Sequence, residues 1–183
     1  LDNLLNNLNV DASIRSILVG SHWTVVCSRN CGMASTLIDN SPHAHSQVKD
    51  VGRLQTKTAR ELAEYARSDN LLEASIGVAA INSLLEVNES KAVEINAVEV
   101  LIQHGCGKNV ALVGHFPFIP KLRLAVGQLW VIEQRPVGDD YTTEDAIDLI
   151  PKATVVAITS SSLINHTLDG LLSLCQPDAL VMM

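Results

Sequence analysis

Val110-Ala111-Leu112-Val113-Gly114 is an unbroken apolar run closed by a glycine, and its reading sets the fold of the second half of the chain. A strand with one face in water alternates apolar and polar residues. A continuous run of this length is what a strand covered on both faces requires. The pattern recurs toward the C-terminus, at residues 129–133, 154–159 and 179–183. Between these runs, residues 122–126, 144–149 and 167–174 carry helical spacing, the second stopping at Pro151. Strand and helix alternating in this way give a parallel sheet with right-handed crossovers. Doubly wound domains ordinarily continue beyond a fourth strand, so the sequence reads as cut short at its C-terminus.

Toward the N-terminus the grammar changes. Leu4, Leu5 and Leu8 mark a short amphipathic helix over residues 2–8. Two β-branched runs, 14–19 and 23–28, flank Gly20-Ser21-His22 and read as a hairpin, with a third short strand at 32–37. Residues 39–50 form a polar loop containing Pro42, His43 and His45. A helix is predicted over 58–67, then a second over 73–87 whose apolar residues occupy nearly its whole circumference and so demand burial. A further helix, 94–104, ends at Gly105 and Gly107. The expected class is α/β: a small α+β domain over residues 1–106 packed on a parallel-sheet domain over 107–183.

Composition narrows the partners. With 47% hydrophobic and 18% charged residues, the 183-residue chain can build a packed core. A net charge of −7 with its 13 Lys and Arg scattered excludes a nucleic-acid face. No apolar stretch approaches the roughly 20 residues that span a bilayer, which excludes a membrane partner. Beginning at Leu1-Asp2-Asn3 with neither an initiator Met nor a signal-type leader, the chain reads as trimmed and cytoplasmic. Cys27, Cys31, Cys106 and Cys175 show no disulfide-framework spacing, so reduced thiols are expected, Cys27 and Cys175 as small buried hydrophobes. A mean hydropathy of +0.21 leaves room for a homodimer interface.

Ligands of open parallel sheets bind beyond the carboxyl ends of the strands. The first strand delivers Gly114, His115, Phe116 and Pro117; the second delivers Glu133, then Gly138 and Asp139; the third delivers Thr159, Ser160, Ser161 and Ser162, then Asn165 and Thr167. His115 is either a ligand contact and general acid/base or a loop imidazole bonded to backbone. Glu133 stands where a carboxylate can hold ribose hydroxyls, or it is structural. The hydroxyls around Ser160 suit an anion, or they cap a helix. No G-x-G-x-x-G or lysine-bearing phosphate loop is present, and Pro117 and Pro120 remove amide donors, so no standard NAD or ATP site is expected. Asn82, inside the apolar helix, must either bond a neighbouring backbone or face a ligand. His43-Ala44-His45 could present two imidazoles to a metal if extended; a solvated loop is the simpler reading.

Taken together, Gly107-Lys108-Asn109-Val110-Ala111-Leu112-Val113-Gly114-His115-Phe116-Pro117-Phe118, Glu133-x-x-Pro136-x-Gly138-Asp139, and Thr159-Ser160-Ser161-Ser162-Leu163-x-Asn165-x-Thr167-Leu168 resemble the strand-end motifs of the putative heavy-metal chelation family. Upstream, the segments 32–36 and 75–85 resemble its companion N-terminal domain. The resemblance implies an enolase N-terminal-like domain joined to a Rossmann-like domain, with a cleft between them and a role in heavy-metal chelation or chelator metabolism. By position, that cleft would draw on His115, Phe116, Pro117, Glu133, Asp139, Thr159, Ser160, Asn165 and Thr167, with Asn82 and Thr36 from the first domain. Family members usually continue past the fourth strand into a Gly-Pro-Ser-type turn that this chain lacks.

Three functions are consistent with these residues. In the first, a divalent metal ion or metal chelate is bound by His115, Glu133 and Asp139. In the second, an enzyme acts on a nucleoside-like or amino-acid-derived substrate, with Glu133 orienting it and His115 moving a proton. In the third, the chain is a non-catalytic oligomeric module.

Overall fold

The computed structural model describes residues 1–39 and 47–183; His43 and His45 lie outside the described residues. In chain order come helix α1 (Asp2–Asn6), strands β1 (Ser16–Val19), β2 (Trp23–Cys27) and β3 (Cys31–Ser35), and helices α2 (Ala59–Ala63) and α3 (Leu71–Leu84). Helix α4 (Ala97–Gly105), β4 (Asn109–Val113), α5 (Ile119–Ala125), β5 (Gln128–Glu133), β6 (Tyr141–Thr142) and α6 (Ala146–Leu149) follow. The chain then runs through β7 (Val155–Ile158), α7 (Ser161–Ile164), α8 (Leu168–Leu174) and β8 (Leu180–Met182). Two compact units result. Unit 1 holds Leu1–Glu89 and Ser161–His166; unit 2 holds Ser90–Ser160 and Thr167–Met183.

Unit 1 is a three-stranded antiparallel meander, β1-β2-β3, with α3 against one face. Alternation does the sorting: Thr24, Val26, Gly32 and Ala34 are buried, while Trp23 and Met33 point outward. Helix α2 starts on a capping box, Thr58 Oγ1 accepting from Glu61 N as the Glu61 carboxylate accepts from Thr58 N. It gives way after Ala63 to a 3-10 turn, Glu64–Arg67, so the helix expected over 58–67 is split. Asn70 caps α3, its Oδ1 accepting from the amides of Leu72 and Glu73. The helix expected over 73–87 ends at Leu84; residues 74–81, Ser83 and Leu84 are buried as expected, but Asn82 is exposed and Leu85 and Val87 lie beyond the helix in water. Gly77 explains how close the packing is: a Cβ there would sit 1.9 Å from the backbone N of Ala66.

One expectation is corrected. Cys27 is not a small buried hydrophobe but is joined to Cys31 by a disulfide. The pairing register sets the two residues opposite each other across β2 and β3, with Cα atoms 4.1 Å apart. A spacing of four residues in sequence is legible as a disulfide only once the hairpin register is known. Cys175 is half-buried and lacks a disulfide.

Unit 2 is a five-stranded parallel sheet in the order β6-β5-β4-β7-β8. Its inner strands β4, β5 and β7 are apolar runs covered on both faces, while the edge strands β6 and β8 are largely exposed. Val110, Leu112, Leu129, Val131, Val155 and Ala157 join the core that includes Leu101 of α4 and Leu122 of α5. Their neighbours Ala111, Ile132, Val156 and Ile158 face the opposite core with Ala146 and Ile150, against which α8 packs. β6, two residues long, and α7 carried no signal in the pattern read above. Among the described residues, no helix is long and apolar enough to cross a membrane.

Candidate functional site

From β4 the chain passes through α5 to β5 on one side; from β6 it passes through α6 to β7 on the other. The direction of winding reverses between β4 and β7, and ligands of open parallel sheets bind beyond the carboxyl ends of the strands at such a reversal. The register places Val113 beside both Ile132 and Ile158. The next residue of each strand therefore comes to one rim: Gly114 in the middle, Glu133 on one side, Thr159 on the other. Gly114 N donates to Ile132 O at 3.0 Å and Thr159 N to Val113 O at 2.9 Å, which locks the three ends together.

Gly114 is required there. Its φ is +113°, and a Cβ would lie 3.0 Å from both Thr159 Cβ and Phe116 Cε2. The turn after it aims His115 outward while Phe116 folds back onto the core, its ring stacked on Phe118 with centroids 5.1 Å apart. Pro117 is exposed.

His115 Nδ1 lies 3.1 Å from Asp140 Oδ2. The imidazole side chain is 56% exposed and the carboxylate only 5%. Asp140 is itself fixed by a turn: Gly138 takes φ +63°, Asp140 N donates to Val137 O, and Val137 N donates back to Asp140 Oδ2 at 3.3 Å. Sequence reasoning named Asp139, which is exposed, and missed Asp140. The signal was present as a β-turn, Val137-Gly138-Asp139-Asp140, with glycine and aspartate at turn positions and the last carboxylate bonding back to the amide three residues earlier. The carboxylate of Glu133 accepts from the amide of Gln134 at 3.0 Å.

The remaining candidates divide between the two units. Phe116, Pro117, Gly138, Asp139, Ser160 and Thr167 belong to unit 2. Thr36, Asn82, Ser161 and Asn165 belong to unit 1. Asn82 takes the first of the two alternatives read for it, Nδ2 donating to Met33 O at 2.9 Å and tying α3 to β3. The Thr36 hydroxyl pairs with that of the buried Thr24 at 2.9 Å. Ser161 opens the short helix α7, separate from α8, with Thr167 at the N-cap position of the latter. No group of three or more His, Cys, Asp or Glu able to hold a metal ion occurs among the described residues.

Comparison with known proteins matches this chain to two family models, each described as putative heavy-metal chelation, over residues 1–85 and 96–183. An uncharacterized protein of Methanocaldococcus jannaschii is 29% identical over 147 residues, which are 77% of this chain and 56% of that protein. The chain thus spans a little over half the length of this curated relative. Among solved structures, a protein of unknown function from the DUF364 family of Desulfitobacterium hafniense superposes with a TM-score of 0.84 at 26% identity, covering 98% of this chain and 74% of that one. A Pyrococcus horikoshii protein of unknown function from the same family gives 0.78 at 20% identity with the same coverage, a likeness of fold.

Proposed function

The chain belongs to the family described as putative heavy-metal chelation, and from that premise we propose that the carboxyl rim of its parallel sheet binds a metal chelate, a cation arriving with organic ligands of its own. The observation that carries this reading is the exposed His115 held by the buried Asp140. A carboxylate on one ring nitrogen fixes the orientation of an imidazole and raises its strength as a ligand through the other nitrogen. With Nδ1 turned to Asp140, Nε2 is the atom presented to a ligand.

A single oriented imidazole suits a chelate better than a bare ion. A resident divalent metal is ordinarily held by three or more protein donors, and no such group occurs among the described residues. A chelate brings most of its coordination shell and needs one further donor plus contacts to its organic part. Glu133 and the turn beginning at Thr159 flank Gly114 at the register positions suited to those contacts.

Calorimetric titration of the whole chain with copper(II) citrate, with copper(II) alone and with citrate alone tests the proposal. The chelate is expected to bind tightest, His115→Ala to abolish that binding, and His104→Ala, at another exposed imidazole, to leave it intact. Equal binding by the His115 variant would reject it.

The same dyad favours a second reading, in which His115 transfers a proton to or from a nucleoside-like or amino-acid-derived substrate. A thermal shift with such compounds that persists in excess chelator would select this reading over the first.

A further inference from the structure

Sulfur atoms gather at one end of the unit 1 sheet. Cys27 and Cys31 face each other across β2 and β3. Met33 lies two residues beyond Cys31 and so on the same face, 53% exposed. Cys31 is exposed and Cys27 half-buried, so a solute can reach the disulfide.

The bond adds little that the hairpin lacks without it. It closes a loop of three residues, the case in which a cross-link removes least chain entropy. That loop is held by other means. Ser28 N donates to Asn30 O at 2.8 Å, and Asn30 N donates to Ser83 O at 3.0 Å. The buried hydroxyls of Ser28 and Ser83 lie 2.5 Å apart, Asn30 Nδ2 donates to Leu85 O, and Arg29 pairs with Glu86. Opening the disulfide therefore leaves two thiols held side by side with a thioether next to them. Arg15, donating from Nε to Ser28 O at 2.7 Å, adds a further tie to the same loop.

We propose that the Cys27–Cys31 pair, once reduced, is a binding site for one soft cation, copper(I) in chemistry, with the two thiolates and the Met33 thioether as ligands. Thiolate and thioether donors select this class of ion over hard cations. The reductant is an external dithiol. One of its thiolates attacks a sulfur of the pair, the S–S bond breaks, and the second resolves the mixed disulfide. Cys27 and Cys31 leave as thiols and the reductant as a disulfide, two electrons having passed. Cation binding then displaces the two thiol protons to solvent, with no further electron transfer. While Cys27 and Cys31 are joined neither can supply a thiolate, so the redox state opens and closes the site. This site belongs to unit 1 and uses sulfur donors, whereas His115 and Asp140 belong to unit 2.

The test uses the full chain in a Cys106→Ser, Cys175→Ser background, which removes the two other cysteines. Samples are reduced with an immobilised dithiol and titrated anaerobically with copper(I) against a chromophoric copper(I) chelator. The reduced chain is expected to withhold one equivalent from the competitor and to develop thiolate-to-metal ultraviolet absorption, and the oxidised chain to do neither. Further replacement of Cys27 and Cys31 by Ser should abolish binding, and Met33→Leu should weaken it several-fold. Should the Ser variant fail to fold, the oxidised chain serves as the sulfur-blocked control. Retention of copper by either one, or a disulfide that the dithiol leaves intact, would overturn the proposal.

Discussion

Asp140 is buried so that His115 can be exposed in one orientation: the carboxylate takes Nδ1 at 3.1 Å and is anchored from behind by the amide of Val137. Removing its charge while keeping its shape separates orientation from coordination. Asp140→Asn is expected to weaken chelate binding about 10- to 100-fold, the usual effect of losing a partner that orients a ligand. Asp139→Asn, one residue away and exposed, should leave it unchanged. Calorimetry on both variants measures the difference, and equal losses would show that the turn as a whole matters rather than the dyad.

Gly77 packs directly on the backbone of Ala66 in unit 1. A methyl group at position 77 has no space, since the obstruction at 1.9 Å is main chain and cannot rotate away. Gly77→Ala should destabilise unit 1 by about 3 kcal/mol or more, at or beyond the upper end of ordinary overpacking. Gly170→Ala, where a Cβ meets nothing within 4 Å in a helix, should be neutral or gain about 0.5–1 kcal/mol. Denaturant midpoints of the two variants decide it.

The parallel sheet was legible because burial on both faces leaves a strong mark: Val110, Ala111 and Leu112 are all fully buried, on alternate faces. From that run and its two counterparts at 129–133 and 154–159 came the strand ends Gly114, Glu133 and Thr159. What stayed hidden depends on contacts between residues far apart in sequence or on turn geometry. Asp140 differs from Asp139 only through a turn set by a positive φ at Gly138. Cys27 and Cys31 become partners only through strand register. Residues 161–166 read as the approach to a helix, yet Ile164, 1% exposed, packs in the core of unit 1. Local pattern does not encode which of two cores an apolar residue enters.

Acid should act on unit 1 through Asp50. Hydrogen bonds from Lys57, at 2.8 Å, and from Tyr65, at 3.1 Å, hold its carboxyl below the ordinary range. The bond to Asp50 raises Lys57, and burial followed by the bond to Asp50 raises Tyr65. A lowered carboxylate stabilises the fold above its unfolded pKa, and that contribution fades as pH falls through the folded value. The raised Lys57 and Tyr65 contribute below their unfolded values and lose that contribution as pH rises through the folded ones. All three are in place at neutral pH. Asp50→Asn is the informative variant, because Asn tolerates the φ of +57° found there. Its melting temperature should fall less than that of the parent between neutral and acidic pH; parallel curves would remove Asp50 from the account.

His166 pins residues 161–166 to unit 1. Its ring donates from Nε2 to Ala66 O at 2.8 Å, and its backbone takes φ +60°, a conformation costly for most side chains. Ile164 and Ser162, each 1% exposed, are the parts of the segment that this hydrogen bond keeps buried. His166→Ala removes a bond of about 0.5–1.5 kcal/mol, leaves a buried carbonyl without its donor, and puts alanine in the left-handed region. His166→Asn relieves only the backbone part. Amide hydrogen exchange over residues 161–166 should therefore accelerate most in the alanine variant and less in the asparagine variant, while β4 and β5 stay protected in both. Equal acceleration in the two variants would assign the effect to the lost ring alone, and no acceleration would mean that Ile164 holds the segment without help.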